Sequence, residues 1–121
     1  MKKFLAVYTG SATRRAEWDK LDERTRKERE AAGMKAWVDW MMTHKAAIVE
    51  TGGPLGKTKL ANAKGIADTR NNLVGYVVVQ AESHDAAARM FTNHPHFAIF
   101  PGEAVEIMEC LPIPGQGTDH A

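Results

Sequence analysis

The residues of this chain best suited to moving a proton are Asn93-His94-Pro95-His96. An imidazole titrates near pH 6.5, so at neutral pH it can either take or give a proton. Two imidazoles held on either side of a rigid proline, just after a predicted helix, could face a cleft between helix and sheet. One would act as general base and the other as hydrogen-bond donor. The plainer alternative is a polar turn whose histidines cap helix carbonyls or meet solvent. His44 is a third candidate. It follows Trp40 by one helical turn, so an aromatic wall and a polar tip would point the same way. Its alternative is a helix-end histidine facing the C-terminal dipole.

Tyr8, Trp37, Trp40 and Met41 are the residues expected to wall an apolar pocket with few polar anchors; in core packing the same residues would serve without any ligand. The His-x-His spacing also raises a metal. A site needs three or four ligands, and His44, Cys110 and Glu50 form no tight second motif, so neither metal nor cofactor is expected. Gly52-Gly53-Pro54-Leu55-Gly56-Lys57-Thr58 resembles a phosphate loop only at a glance. Three residues, not four, separate Gly52 from the Gly56-Lys57 pair, and no helix pattern follows. It reads as a turn, with backbone at Gly53 and Pro54 available to the pocket mouth. Lys57 and Lys59 alternate onto one strand face, as an anchor for an anionic ligand or as solvated edge lysines.

The elements that must position these groups follow from hydrophobic spacing in a chain of 121 residues, 44% apolar and 26% charged, with net charge +1 and one cysteine. That composition is globular and of single-domain length. It excludes wholesale disorder and a disulfide scaffold, and gives no electrostatic case for nucleic acid. The apolar run Phe4–Tyr8 is too short for a secretory leader, and no stretch approaches a membrane span, so the expected location is cytoplasmic.

Phe4–Tyr8 reads as a strand buried on both faces. Thr13 to about Lys45 reads helical in two parts, broken at Gly33. The first part, Arg14–Glu30, holds seven basic and six acidic residues in seventeen, with i,i+4 pairs that favour a solvated helix; presenting this face to a protein partner is the alternative. The second part carries a stripe of Met34, Trp37, Val38, Met41, Lys45 and Ile48 and should pack one wide face on something apolar. A strand over Ala47–Thr51, a polar loop over Ala61–Asn72 and a valine-rich strand over Leu73–Ala81 follow. Next come a helix N-capped by Ser83, ended by Pro95, and a last strand over Val105–Leu111.

The order is βαββαβ. It predicts an α+β, ferredoxin-like domain over 1–114, a four-stranded antiparallel sheet with helices on one face, and a flexible tail over 115–121. The central strands lack polar alternation, so the second sheet face also needs cover, and a homodimer with sheets face to face is expected.

Several of these segments together resemble the YCII-related proteins of the DGPF branch. They are Tyr8-Thr9-Gly10 closing the first strand, Ala36-Trp37 with Trp40, Gly52-Gly53-Pro54-Leu55, Gly75-Tyr76 before the valine-rich strand, Ala81-Glu82-Ser83, and Val105-Glu106-Ile107 with Glu109. The likeness spans Met1–Pro114 apart from a longer charged helix. It implies a dimeric α+β barrel, in which some relatives look like cofactor-free enzymes acting on small ring compounds, dehydrochlorination included. Their chemistry is implied to use a histidine on the first helix and an aspartate before the proline of the late break. Here Ala36 and Trp37 stand at the first position and His94 at the second, so that pair is not carried over. Two readings remain. One is a cofactor-free isomerase, lyase or dehydrochlorinase-like enzyme using His94, His96 and His44, on a small cyclic or acidic metabolite. The other is a non-catalytic dimeric module that binds a metabolite or a protein.

Overall fold

The computed structural model describes residues 1–115. Its main sheet is antiparallel throughout, in the order β2-β5-β1-β6. The strands are β1 (Lys2–Gly10), β2 (Ile48–Pro54), β5 (Leu73–Ala81) and β6 (Gly102–Glu109). The helices lie on one face, as expected. There Phe4, Ala6, Tyr8, Val77, Val79 and Ala81 form the core with Ala87 and Phe91, and Trp37 and Trp40 pack against it. The period of two along β1 and β5 sends the intervening residues to the opposite face. Cross-strand register lines up Glu50, Val78, Leu5 and Met108 in one row and Tyr76, Val7 and Glu106 in the next. Along these rows Val7 is buried, Leu5, Tyr76 and Val78 are half-buried, and Glu50, Glu106 and Met108 are exposed.

The helical region breaks earlier than expected. Helix α1 is Ala12–Asp19 and helix α2 is Glu23–Thr43, unbroken through Gly33. Asp22 makes the break, because its carboxylate N-caps α2 by accepting from the Thr25 amide at 2.7 Å. Arg26 stitches the elbow by donating to the carbonyls of Asp19 and Leu21. Gly33 serves packing instead: a Cβ there would lie 2.5 Å from Cε2 of Phe100. The stripe is also cut short. Lys45 falls in a 3-10 turn and Ile48 begins β2, while Met34 and Val38 remain 58% and 53% exposed. On that face Trp37 packs against the core while Met34 and Val38 remain exposed beside it.

The polar stretch expected as a loop forms a hairpin of β3 (Thr58–Asn62) and β4 (Gly65–Thr69). Asn62 Oδ1 accepts from the Lys64 amide at 2.9 Å, and Gly65 takes φ +121°, which a side chain would resist. After α3 (His84–Arg89), capped by Ser83 as expected, Pro95 does not end a helix but starts one, α4 (Pro95–Ala98). Proline suits the first helical position because its missing N–H would be unpaired there anyway. The tail expected at 115–121 lies outside the described residues beyond Gly115. No helix among the described residues is long and apolar enough to cross a membrane.

Candidate functional site

Three contacts fix the site. Trp40 Nε1 donates to the Met90 carbonyl at 2.7 Å, tying α2 to the end of α3. The His96 amide donates to His94 Nδ1 at 3.0 Å, making His94 the N-cap of α4. His96 Nε2 donates to the Thr9 carbonyl at 2.7 Å, tying α4 to β1. Gly102 lets that ring in, since a Cβ there would fall 2.3 Å from His96 Cε1.

These bonds set both tautomers. A carbonyl only accepts, so His96 carries its proton on Nε2 and leaves Nδ1 as a free acceptor. No buried side-chain nitrogen or oxygen among the described residues lacks a partner. His96 Nδ1 has none and is therefore not fully enclosed, although the residue is only 7% exposed; its ring lines a cavity between α2 and the sheet. His94 is the reverse: Nδ1 is taken, so Nε2 carries the proton and points to Tyr8 Oη at 3.5 Å.

His94 is fully buried. Trp37 lies edge-on at 4.6 Å between centroids, Trp40 at 4.7 Å, and Tyr8 and Phe91 close the box. Burial, and then the neighbouring His96 and His44, hold its pKa down to about 4. Burial likewise lowers the pKa of His96, against the opposing Thr9 bond. Burial raises that of Tyr8, so its hydroxyl stays protonated. With Tyr8 oxygen facing His94 Nε2–H, its own proton is free to donate elsewhere.

The cavity has a volume of about 630 Å³, within the usual range of small-molecule sites. Tyr8, Trp37, Trp40, Met41, Gly53, Pro54 and His96 all line it, so seven of the nine expected site residues meet there. Met34, Val38, Val74, Val77 and Phe100 extend the apolar wall, and Thr51 adds a hydroxyl. His94 stands behind this wall, not on it. His44 caps the C-terminus of α2 against Trp40, at 4.9 Å between rings, and is not on the wall either. Phe100 escaped the sequence reading. Its only signal was Gly33, whose use as a close-approach site needs the fold.

Among the described residues no Asp, Glu, Lys or Arg lines the cavity. An anion would lose its hydration there without gaining a countercharge. Lys59 is engaged by Asp68 across the hairpin, and Lys57 does not reach the wall. The acidic ligand considered from sequence therefore finds no cation in this pocket. Gly52 does no phosphate work: at φ +63°, its α-carbon packs so that a Cβ would meet the Tyr76 carbonyl. Among the described residues no cluster of three or more His, Cys, Asp and Glu is placed to hold a metal.

Fold and site thus define a ferredoxin-like α+β domain with an apolar, uncharged cavity under its long helix. No family model matches the chain, and no curated protein matches it. Among solved structures it is similar to 5-chloro-2-hydroxyhydroquinone dehydrochlorinase from Burkholderia phenoliruptrix AC1100, in complex with 2,5-dihydroxybenzoquinone. Identity is 19%, over 87% of this chain and 89% of that one, with a TM-score of 0.49.

Proposed function

We propose that the chain is a cytoplasmic, YCII-related protein whose cavity binds a small uncharged cyclic compound and moves a proton on it without a cofactor. The observation that carries this reading is the pairing of an unpartnered acceptor, His96 Nδ1, with a donor hydroxyl, Tyr8, in a cavity whose wall is otherwise apolar but for Thr51. His96 would take a proton from a ring carbon or hydroxyl, its other nitrogen steadied by Thr9. Tyr8 would donate to the ring oxygen on which charge develops. His94 would position both, by capping α4 and by holding the Tyr8 oxygen. The aromatic faces of Trp37 and Phe100 suit a flat ring. The resemblance noted from sequence supports the family, although the site uses a histidine and a tyrosine where the family's His/Asp pair is absent.

Two measurements test this. Tryptophan fluorescence should respond saturably to phenol and cyclohexanone but not to benzoate. Proton NMR in deuterated buffer should show α-proton exchange of cyclohexanone above the buffer rate, lost in His96→Gln. Equal response to benzoate, or exchange that survives His96→Gln, would overturn the reading.

The sheet face opposite the helices supports a second reading, a homodimer. Leu5, Val78 and Met108 form an apolar row on that face, half-buried or exposed, and such a face is an interface or a liability. Sedimentation equilibrium should give twice the 13.3 kDa chain mass; a monomer at every concentration would exclude it.

A further inference from the structure

Helix α4 is only four residues long, yet it carries His96. So short a helix is not stable alone, and the imidazole is placed by whatever holds its ends. His94 caps the start, and His96 itself is tied to β1 through Thr9. The far end is held by Arg14. Its Nη2 donates to the Phe97 carbonyl at 2.8 Å, one of the last carbonyls, which a helix leaves without an internal partner. Phe97 follows His96 directly in the chain, so the guanidinium sits beside the turn that carries the ring.

Local rules do not favour an arginine there. Arg14 stands in the first turn of α1, where its amide donates to the Ser11 cap at 3.1 Å and where the helix dipole disfavours a cation. Among the described residues no carboxylate forms an ion pair with it. Glu17 lines the same surface groove without pairing with it. The charge is therefore half-buried and uncompensated, and it acts on what lies near. The other groups around the His96 ring carry no charge at neutral pH. Strand β1 presents the Thr9 carbonyl and Tyr8, whose hydroxyl burial keeps protonated. Helix α2 presents Trp37, and α4 presents His94, which burial keeps neutral. On β6, Gly102 touches the ring, and Glu103 after it is exposed.

We propose that Arg14 is a positioning residue for His96: it caps the end of α4 and sets an unpaired positive charge beside the imidazole, holding it against Thr9 in the unprotonated form that can accept a proton. The proposal rests on the reading of His96 as the base. Burial is the largest cause of the lowered His96 pKa, the Thr9 bond opposes it, and the charge of Arg14 lowers it further.

Two variants of the full chain separate charge from shape. Arg14→Gln keeps a donor and loses the charge; Arg14→Lys keeps both. Proton NMR follows the His96 ring signal, identified by its loss in His96→Gln. In Arg14→Gln that signal should titrate at higher pH than in the parent, and in Arg14→Lys it should titrate with the parent. Catalysed exchange of cyclohexanone should follow: Arg14→Gln should lose roughly threefold or more on the acid limb of the pH profile, with the loss shrinking as pH rises. A merely structural role would lower the rate equally at every pH, and circular dichroism checks the fold. A His96 that titrates alike in the parent and Arg14→Gln, or that moves as far in Arg14→Lys, overturns the role of Arg14. If the titration moves as expected but the parent exchanges no proton above the buffer rate, the action of Arg14 on the imidazole stands and the proton-transfer reading alone falls.

Discussion

His94 Nδ1 accepts the His96 amide at 3.0 Å, so the two imidazoles turn their protonated nitrogens in different directions, one to Tyr8 and one to Thr9. Protonating His94 would place a proton on the nitrogen that caps α4, in a fully buried aromatic box. Its folded pKa of about 4 lies below the unfolded value near 6.5. Between those two pH values the unfolded chain binds a proton that the folded chain refuses. Stability therefore falls as pH drops from about 6.5 toward 4, by about 3 kcal/mol for this group, and His96 adds in the same direction. Urea unfolding followed at pH 7.5, 6, 5 and 4.5 should show the slope. His94→Asn, which keeps a capping acceptor, should flatten it; an unchanged slope would place the titration elsewhere.

His96 and Tyr8 should separate by role. His96→Gln removes the base and should reduce catalysed proton exchange by about 10²–10⁴-fold. Tyr8→Phe removes one donor from the wall and should weaken binding of ring hydroxyls and ketones about tenfold, in line with one neutral hydrogen bond. His44→Gln should change neither by more than twofold, since His44 is not on the cavity wall. Isothermal titration with phenol, beside the exchange assay, reads both effects.

Much of this architecture is legible in the residues. Val77 and Val79 alternating with Tyr76 and Val78 announce β5, and Ser83 with Asp85 announces α3, because both signals are local. The clustering of Tyr8, Trp37 and Trp40 is also readable, as large aromatics on elements expected to flank a cleft. What the sequence hides is non-local. Gly33 looks like a helix breaker until Phe100 is seen beside it. Asn62 and Gly65 turn a hairpin whose strands have no apolar alternation, so nothing marks them as strands. Pro95 reads as a stop because its role as a start depends on His94, an uncommon N-cap residue, supplying the acceptor. The division of labour between His94 and His96 rests on hydrogen bonds to a strand more than eighty residues away.

The two glycines that admit the aromatic and imidazole rings should respond differently to alanine. At Gly102 the added Cβ would meet the backbone carbonyl oxygen of His96 at 2.4 Å as well as its ring. Backbone cannot swing aside, so Gly102→Ala should cost about 1–3 kcal/mol and move His96 off Thr9. At Gly33 the clash is with the outer edge of the Phe100 ring. That ring can rotate away, and alanine is a better helix former by about 1 kcal/mol. Gly33→Ala should therefore leave stability within about 1 kcal/mol of the parent while changing ligand affinity, because Phe100 lines the cavity. Thermal melts and phenol titration of the two variants distinguish these outcomes. A Gly102→Ala chain as stable as the parent would contradict the packing described for α4.

The charged stretch over α1 and the start of α2 offers the last contrast. Its ion pairs, Arg24–Glu28 at 3.2 Å and Glu23–Lys27 at 3.1 Å, are i,i+4 contacts between side chains two-thirds or more exposed. Water and salt screen such pairs, so Glu28→Gln should shift stability by less than about 0.5 kcal/mol. Trp18 is different: it is buried, with its ring 6.3 Å from that of Phe100. Nearby, Arg14 donates to the Phe97 carbonyl at 2.8 Å, binding the same helix to α4. Trp18→Ala should cost about 3–5 kcal/mol. Because Trp18 braces Phe100, it should also loosen the cavity wall and weaken phenol binding, although Trp18 itself does not line that cavity. Chemical denaturation of Trp18→Ala and Glu28→Gln beside the parent measures the difference; equal midpoints would mean that α1 contributes nothing to the site it adjoins.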